Sequence, residues 1–328
     1  MQEYFDYSGF EEISPEVIEK KKIRRLGLAC GVGILALFAV MSFWSAVYFR
    51  ITAILGVHST QALSFARHPF FSQLLQIVVS AIMLLLPFFI ISKAMGFKLM
   101  QGISFRGVEK GYFLPCVALG VGFCFFSSLS TNYADWIFDL FGISFPSSER
   151  ELPLGVFGVI ITVITTAFFP AFLEELAMRG IVMGMLRKFG DGFAIFCSAF
   201  VFGIMHASGD QIVFAFLVGV ILGFITVKTN SIWPAITVHF LNNFFSVAFS
   251  YMNSLDDTLT TLVLLAVFII FMLLAVFSLF VLQKKDKEFL NLSAEGEISQ
   301  FRKIVWFLTA PTNIIAIIVS LLIAFFMR

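Results

Sequence analysis

Charge is scarce in this chain. Asp, Glu, Lys and Arg make up 13% of its 328 residues, 59% are apolar, and the formal net charge is +1. That scarcity excludes two classes at once. There is no basic surface to hold a nucleic acid. No soluble domain of this length hides so much apolar surface from water, and the mean hydropathy is +0.95, so the chain reads as a multi-pass integral membrane protein. Period-two alternation is also missing from the apolar runs, which excludes a transmembrane barrel. Cys30, Cys116, Cys124 and Cys197 lie in separate apolar stretches with no C-x-x-C pair, so they read as small packing residues rather than a disulfide framework. No cleavable leader is expected. Residues 1–19 are acidic and polar, and the first apolar run is longer than a signal-peptide core and lacks a small-residue cleavage site. No internal repeat is visible.

What is present is a series of apolar runs, at about 26–49, 70–92, 111–130, 153–187, 193–209, 211–227, 232–252, 259–283 and 304–327. They predict an all-α polytopic membrane protein of about eight to nine transmembrane helices, with a core bundle carrying the site. The division expected is a cytoplasmic tail 1–25, N-terminal membrane helices 26–152, a core 153–252, and C-terminal helices 253–328 with a cytoplasmic loop near 284–303. The basic residues orient the chain. With the N-terminus in the cytoplasm, 17 of the 22 Lys and Arg fall inside, in the segments 20–25, 93–110, 187–188, 228 and 284–303. Arg50, Arg67, Arg150 and Arg328 fall outside, and Arg179 falls within the membrane. The 153–187 run would reach ~50 Å as one helix, against a ~30 Å hydrocarbon core. Pro170 is the expected break or kink, giving helical pieces at 153–169 and 171–188 of one long, bent or partly interfacial element.

The run 153–187 holds the informative stretch, Pro170-Ala-Phe-Leu-Glu174-Glu175-Leu-Ala-Met-Arg179-Gly180. Charges inside the bilayer are expensive and persist when paired or functional. Glu175 and Arg179 are four apart and share a helix face, so they can neutralise each other. Glu174 points ~100° away and lacks that partner. Phe189-Gly-Asp-Gly192 reads as a helix–helix turn. Glu174 lies sixteen residues before Gly190 and His206 sixteen after it, so both sit ~20–24 Å from the turn. His239 and Asn243 share a face on the helix after the turn near Asn230, ~14 and ~20 Å in. Phe202, four before His206, is expected to pack on its ring. His58 and His68 fall in an outer loop, and Asn291-Leu-Ser293 is a sequon on the cytoplasmic side.

A carboxylate, two imidazoles and an amide at one level suit hydrolysis. The carboxylate activates water, and an imidazole with an amide can hold an oxyanion. A second assignment stays open, in which Glu174, His206 and His239 hold a divalent metal such as zinc. The chain lacks H-E-x-x-H and G-x-S-x-G, so neither the zincin nor the nucleophile-elbow geometry is available.

Glu174-Glu175-x-x-x-Arg179, then Phe202-x-x-x-His206, then His239-x-x-x-Asn243, in this order, resemble the three motifs of the CPBP family. That family contains the CAAX prenyl endopeptidases and the Abi group of bacterial proteins linked to bacteriocin processing and self-immunity. The similarity spans about 153–250. It implies an intramembrane endopeptidase, of glutamate or metalloprotease type, in a bacterial plasma membrane, acting on membrane-associated peptides or proteins. Under it Glu174 and His206 would activate water, His239 and Asn243 would form the oxyanion hole, and Glu175, Arg179 and Phe202 would support them. One departure is Met178, where an aromatic residue often precedes the motif arginine. Two other classes stay in play: a non-catalytic immunity or scaffold protein of the same fold, and a proton-coupled transporter, which should show paired repeats.

Overall fold

The computed structural model describes residues 14–54, 69–98, 104–140, 152–254, 256–294 and 296–326. The outer-loop residues His58 and His68 lie outside this set. Lipid offers backbone groups no hydrogen-bond partners, so apolar runs must bond within themselves. The described residues accordingly contain helices and no strand. The chain is an all-α polytopic membrane protein. In order, the helices are α1 (Pro15–Ile54), α2 (Pro69–Ala94), α3 (Phe113–Leu140), α4 (Gly155–Phe189), α5 (Asp191–Ile204), α6 (Gly209–Thr229), α7 (Trp233–Asn253), α8 (Asp257–Lys285), α9 (Gln300–Leu308) and α10 (Pro311–Phe326).

Among the described residues six helices are long and apolar enough to cross a membrane, or seven if α9 and α10 form one broken span. Three of the nine expected runs account for the difference. The 193–209 run becomes α5, 14 residues long, which spans ~21 Å and falls short of the ~30 Å core. α7 has 21 residues, but Thr237, His239, Asn242, Asn243 and Ser246 keep it below the apolarity of a span. The 304–327 run bends by 67° between Leu308 and Pro311. Proline there cannot donate a helical hydrogen bond and disfavours helix in the residue before it.

α4 narrows a second expectation, since no break falls at Pro170. It runs through Pro170 as one helical element of 35 residues. The turn before the proline widens into a π-helix over Val163–Phe168, and the Phe169 N–H reaches Ile164 O, five residues back. The wider turn accommodates the donor and the space that proline removes. A second π segment, Leu176–Val182, carries Arg179 and ends with the Met183 N–H on Met178 O.

The helices gather around two apolar cores. One joins α1, α2, α4, α5, α9 and α10 around residues such as Phe88, Met178, Phe193 and Phe307. The other joins α3, α6, α7 and α8 around Val121, Leu222, Val238 and Leu282. α7 lies at their junction, against α3, α4 and α6. α8 packs chiefly on α3 and leaves Leu265, Leu273, Phe277 and Phe280 exposed, as a lipid-facing helix does. The basic segments assigned to one side of the membrane do converge on one end of the molecule. Lys303 pairs with Glu19 and donates to Phe189 O. Lys228 donates to Glu288 O, Lys285 pairs with Glu109, and Ser231 donates to Arg106 O.

Candidate active site

The start of α7 is pinned before any charged group is reached. The Ile232 N–H donates to Ser104 O at 3.0 Å, Ser231 Oγ to Arg106 O at 2.7 Å, and Trp233 Nε1 to Phe105 O at 3.2 Å. Pro234 sits in the first turn, where a missing N–H costs nothing. These contacts fix how deep His239 lies, about one and a half turns further on.

His239 meets both acids of α4. Its Nδ1–H donates to Glu175 Oε1 at 2.9 Å, and its Nε2 lies 3.6 Å from Glu174 Oε2. Glu175 Oε1 also receives Arg179 Nη1 at 2.9 Å. Glu175 is 0% exposed and Arg179 1%. The expected Glu175–Arg179 pair is therefore formed, inside the protein rather than on its surface. Arg179 Nη2 donates further to Gly219 O at 3.1 Å. Gly219 also lets α6 lie close against α5, since a Cβ there would come 2.9 Å from Ala199 Cα. Glu175 Oε2 and Arg179 Nε are buried without a hydrogen-bond partner among the described residues.

His206 lies just beyond the end of α5, in the turn that leads to α6. Ala207 follows it at φ +48, a left-handed conformation that costs a non-glycine residue roughly 1 kcal/mol or more. The carbonyl of Phe202 can only accept, so His206 Nδ1–H donates to it, at 2.7 Å. Nε2 is thereby the ring atom left for other contacts. Among the described residues Glu174 and His206 make no hydrogen bond or ion pair with each other; the histidine beside Glu174 is His239.

Phe202 ties these groups together. Its ring meets His206 edge-on at 4.9 Å and His239 at 5.8 Å. The Arg179 guanidinium lies over it at 4.9 Å. The packing of Phe202 on His206 was legible from the i,i+4 spacing; its contacts with Arg179 and His239 were not.

His206, His239 and Asn243 line one cavity of about 530 Å³ between α3, α5, α6, α7 and α8. Much of its wall is aromatic, with Phe125, Phe214, Phe245 and Phe268, and its polar part includes Gln211 and Asn242. Asn242 Nδ2 donates to Asn243 Oδ1 at 3.2 Å, which leaves the Asn243 amide N–H groups for the cavity. Glu174 does not line this cavity; its side chain is 19% exposed and reaches the site beside His239. Gln211 was missed in the sequence, having no motif or helical spacing to mark it. All four cysteines are free and buried, and Cys124 lines the cavity as well.

The zinc set expected as an alternative is not assembled. Among the described residues no group of three or more His, Cys, Asp or Glu is placed to hold a metal ion.

The fold and site define a polytopic helical membrane protein with a buried carboxylate–imidazole–guanidinium cluster beside an internal cavity. Comparison with known proteins points the same way. Residues 156–245 match the family described as type II CAAX prenyl endopeptidase Rce1-like. The chain is 27% identical over 148 residues to "Putative membrane peptidase YdiL" of Bacillus subtilis (strain 168), covering 44% of this chain and 56% of that protein. The chain thus matches little more than half the length of that relative. Both matches support the CPBP family for the core of the chain. No solved structure matches.

Proposed function

We propose that the chain is an intramembrane endopeptidase hydrolysing peptide bonds of membrane-associated peptides or proteins. The observation that carries this reading is His239, held between the carboxylates of Glu174 and Glu175 in a cavity wall that it shares with His206 and Asn243. The match of 156–245 to a prenyl endopeptidase family and the name of the Bacillus subtilis relative support it.

In this mechanism Glu174 is the base. One water oxygen can lie ~2.8 Å from both Glu174 Oε2 and His239 Nε2, which are 3.6 Å apart. Glu174 takes a proton as the water oxygen bonds to the scissile carbonyl carbon. His206, its Nδ1–H engaged by Phe202 O, presents Nε2 to accept from the water's other hydrogen. As the water oxygen becomes bonded to that carbon, the oxyanion beside it is held by Asn243 Nδ2–H and by His239 Nε2–H, with Glu175 fixing the ring through Nδ1. The carbon–nitrogen bond then breaks, and the proton on Glu174 passes to the leaving amine. Catalytic roles thus fall to Glu174, His206, His239 and Asn243, while Glu175, Arg179 and Phe202 position them.

The test is cleavage of a peptide library and of candidate membrane substrates by purified protein in lipid. Glu174→Gln and His206→Gln are each expected to lose ~10²-fold or more in rate while keeping the wild-type thermal midpoint. Cleavage unchanged in both variants sinks the reading. Absence of cleavage, with an associated protective phenotype retained by Glu174→Gln, would assign a binding role instead.

A further inference from the structure

A second cavity, of about 420 Å³, lies at the basic end of the molecule, far along α4 from the acids and formed by the start of α1, the end of α4 and the loop before α9. Its charged lining residues are Glu19, Lys22 and Lys188. Two nearby acids are already matched, while Glu297, beside Gly296 of the wall, forms no ion pair among the described residues. Glu19 pairs with the buried Lys303 at 2.9 Å, and Glu16 pairs with Arg302. Lys22 and Lys188 have no ion-pair partner among the described residues, and Lys188 Nζ rests over the Phe189 ring at 5.3 Å. Among the side chains that line it, the pocket therefore carries two unmatched positive charges around a space large enough for a small anion.

Its depth says which anion. Lys22 lies four residues before Leu26, where the first apolar run begins, so it stands ~6 Å outside the hydrocarbon boundary. That is the level of lipid phosphates. Ile18 in the pocket wall is 43% exposed, and the adjoining first turns of α1 and α9 expose Val17 at 53% and Phe301 at 74%. Exposed apolar side chains beside unmatched lysines at this depth suit a molecule with both a charged phosphate and acyl chains.

We propose that this pocket binds a phosphate group, supplied in the membrane by the headgroup of an anionic phospholipid, between Lys22 and Lys188. Basic pockets between helices on the cytoplasmic side suit such headgroups. The Lys188 contact lies on the last turn of α4, so the occupant touches the same helix that carries Glu174, Glu175 and Arg179.

The full chain, delipidated in neutral detergent, would be titrated with phosphatidylglycerol, phosphatidylcholine or inorganic phosphate while its thermal midpoint is followed. Phosphatidylglycerol is expected to raise the midpoint by about 5 °C at saturation, with phosphatidylcholine giving no comparable rise. Lys22→Gln/Lys188→Gln is expected to abolish the rise. Lys21→Gln/Arg25→Gln, which removes equal charge outside the pocket, is expected to keep it. A rise with phosphatidylglycerol and not with inorganic phosphate assigns the lipid; a rise with both assigns the phosphate alone. If the double variant does not fold, Lys188→Gln carries the same comparison, with at least a ~3-fold loss in half-saturating lipid. Equal rises with the two lipids, or a full rise in the pocket variants, overturn the proposal.

Discussion

Replacing Arg179 by Met tests how the cluster is held. The guanidinium is 1% exposed and its carboxylate partner 0%, so neither charge is stabilised by solvent. Truncating one member of a buried ion pair leaves the other uncompensated and costs ~3–5 kcal/mol. Glu175 would keep only the His239 N–H. At a few degrees per kcal/mol for a chain of this size, Arg179→Met should lower the thermal midpoint by roughly 5–15 °C. Glu175→Gln should cost a comparable amount, because it strands the arginine with Gly219 O as its remaining acceptor. The double variant Glu175→Gln/Arg179→Met is the informative one. It removes both charges, and the amide oxygen still accepts from His239 Nδ1–H. The Oε2 and Nε atoms that go unmatched in the native cluster add to the case that a neutral replacement is tolerated. The double variant should lie within ~1–2 kcal/mol of wild type, a coupling of at least ~2 kcal/mol. Its cleavage rate should still fall ~10–100-fold, since an amide orients His239 less firmly than a carboxylate. Strictly additive losses in midpoint, measured in detergent, would refute the reasoning, because the two charges would then be independently solvated.

Gly219→Ala should cost ~1–3 kcal/mol by overpacking, since the new Cβ would meet Ala199 Cα at 2.9 Å and Phe202 Cδ1 at 3.3 Å; a wild-type thermal midpoint would contradict the close α5–α6 contact. Phe202→Leu removes a ring that touches Arg179, His206 and His239. It should cost ~1–2 kcal/mol in stability and about tenfold in cleavage rate, and an unchanged rate would mean that the ring does not position the histidines. Treatment with a strong chelator, then its removal, should leave cleavage within about twofold. A loss restored by zinc would refute the metal-free mechanism.

Much of this was legible in the sequence because the bilayer makes polar residues conspicuous. The helical class followed from unbroken apolar runs, and the Glu175–Arg179 pair from a spacing of four. The one-sided basic segments were likewise visible as a count, and their convergence on one end agrees with it. What escaped the sequence depended on distances between helices. Nothing in the order of residues said that His239 would reach across to Glu175, or that it rather than His206 would stand beside Glu174. The reason is local: α5 ends at Ile204, so His206 belongs to a turn, where helical phase no longer predicts direction. Pro170 left a break and a continuous helix both open for a related cause. Proline does remove a hydrogen bond, but a π turn can absorb the loss without breaking the helix, and single-sequence patterns do not distinguish the two outcomes.

The polarity of α7 explains where the site is. Among the described helices of at least 18 residues it carries no charged side chain, yet it falls short of a span's apolarity because His239, Asn242 and Asn243 crowd about one turn of it. Facing lipid, that polar group would lie in hydrocarbon without partners, at a cost of several kcal/mol. The fold instead packs α7 against α3, α4 and α6 and turns its amides and imidazole toward a cavity lined by side chains of five helices. Enclosure makes the polarity tolerable, and the same enclosure keeps the carboxylates of α4 and the imidazole of α7 within contact. A helix this polar in the midst of apolar neighbours is therefore a consequence of the chemistry proposed here, since attack on a peptide bond needs water and hydrogen-bond donors at a depth where lipid supplies neither.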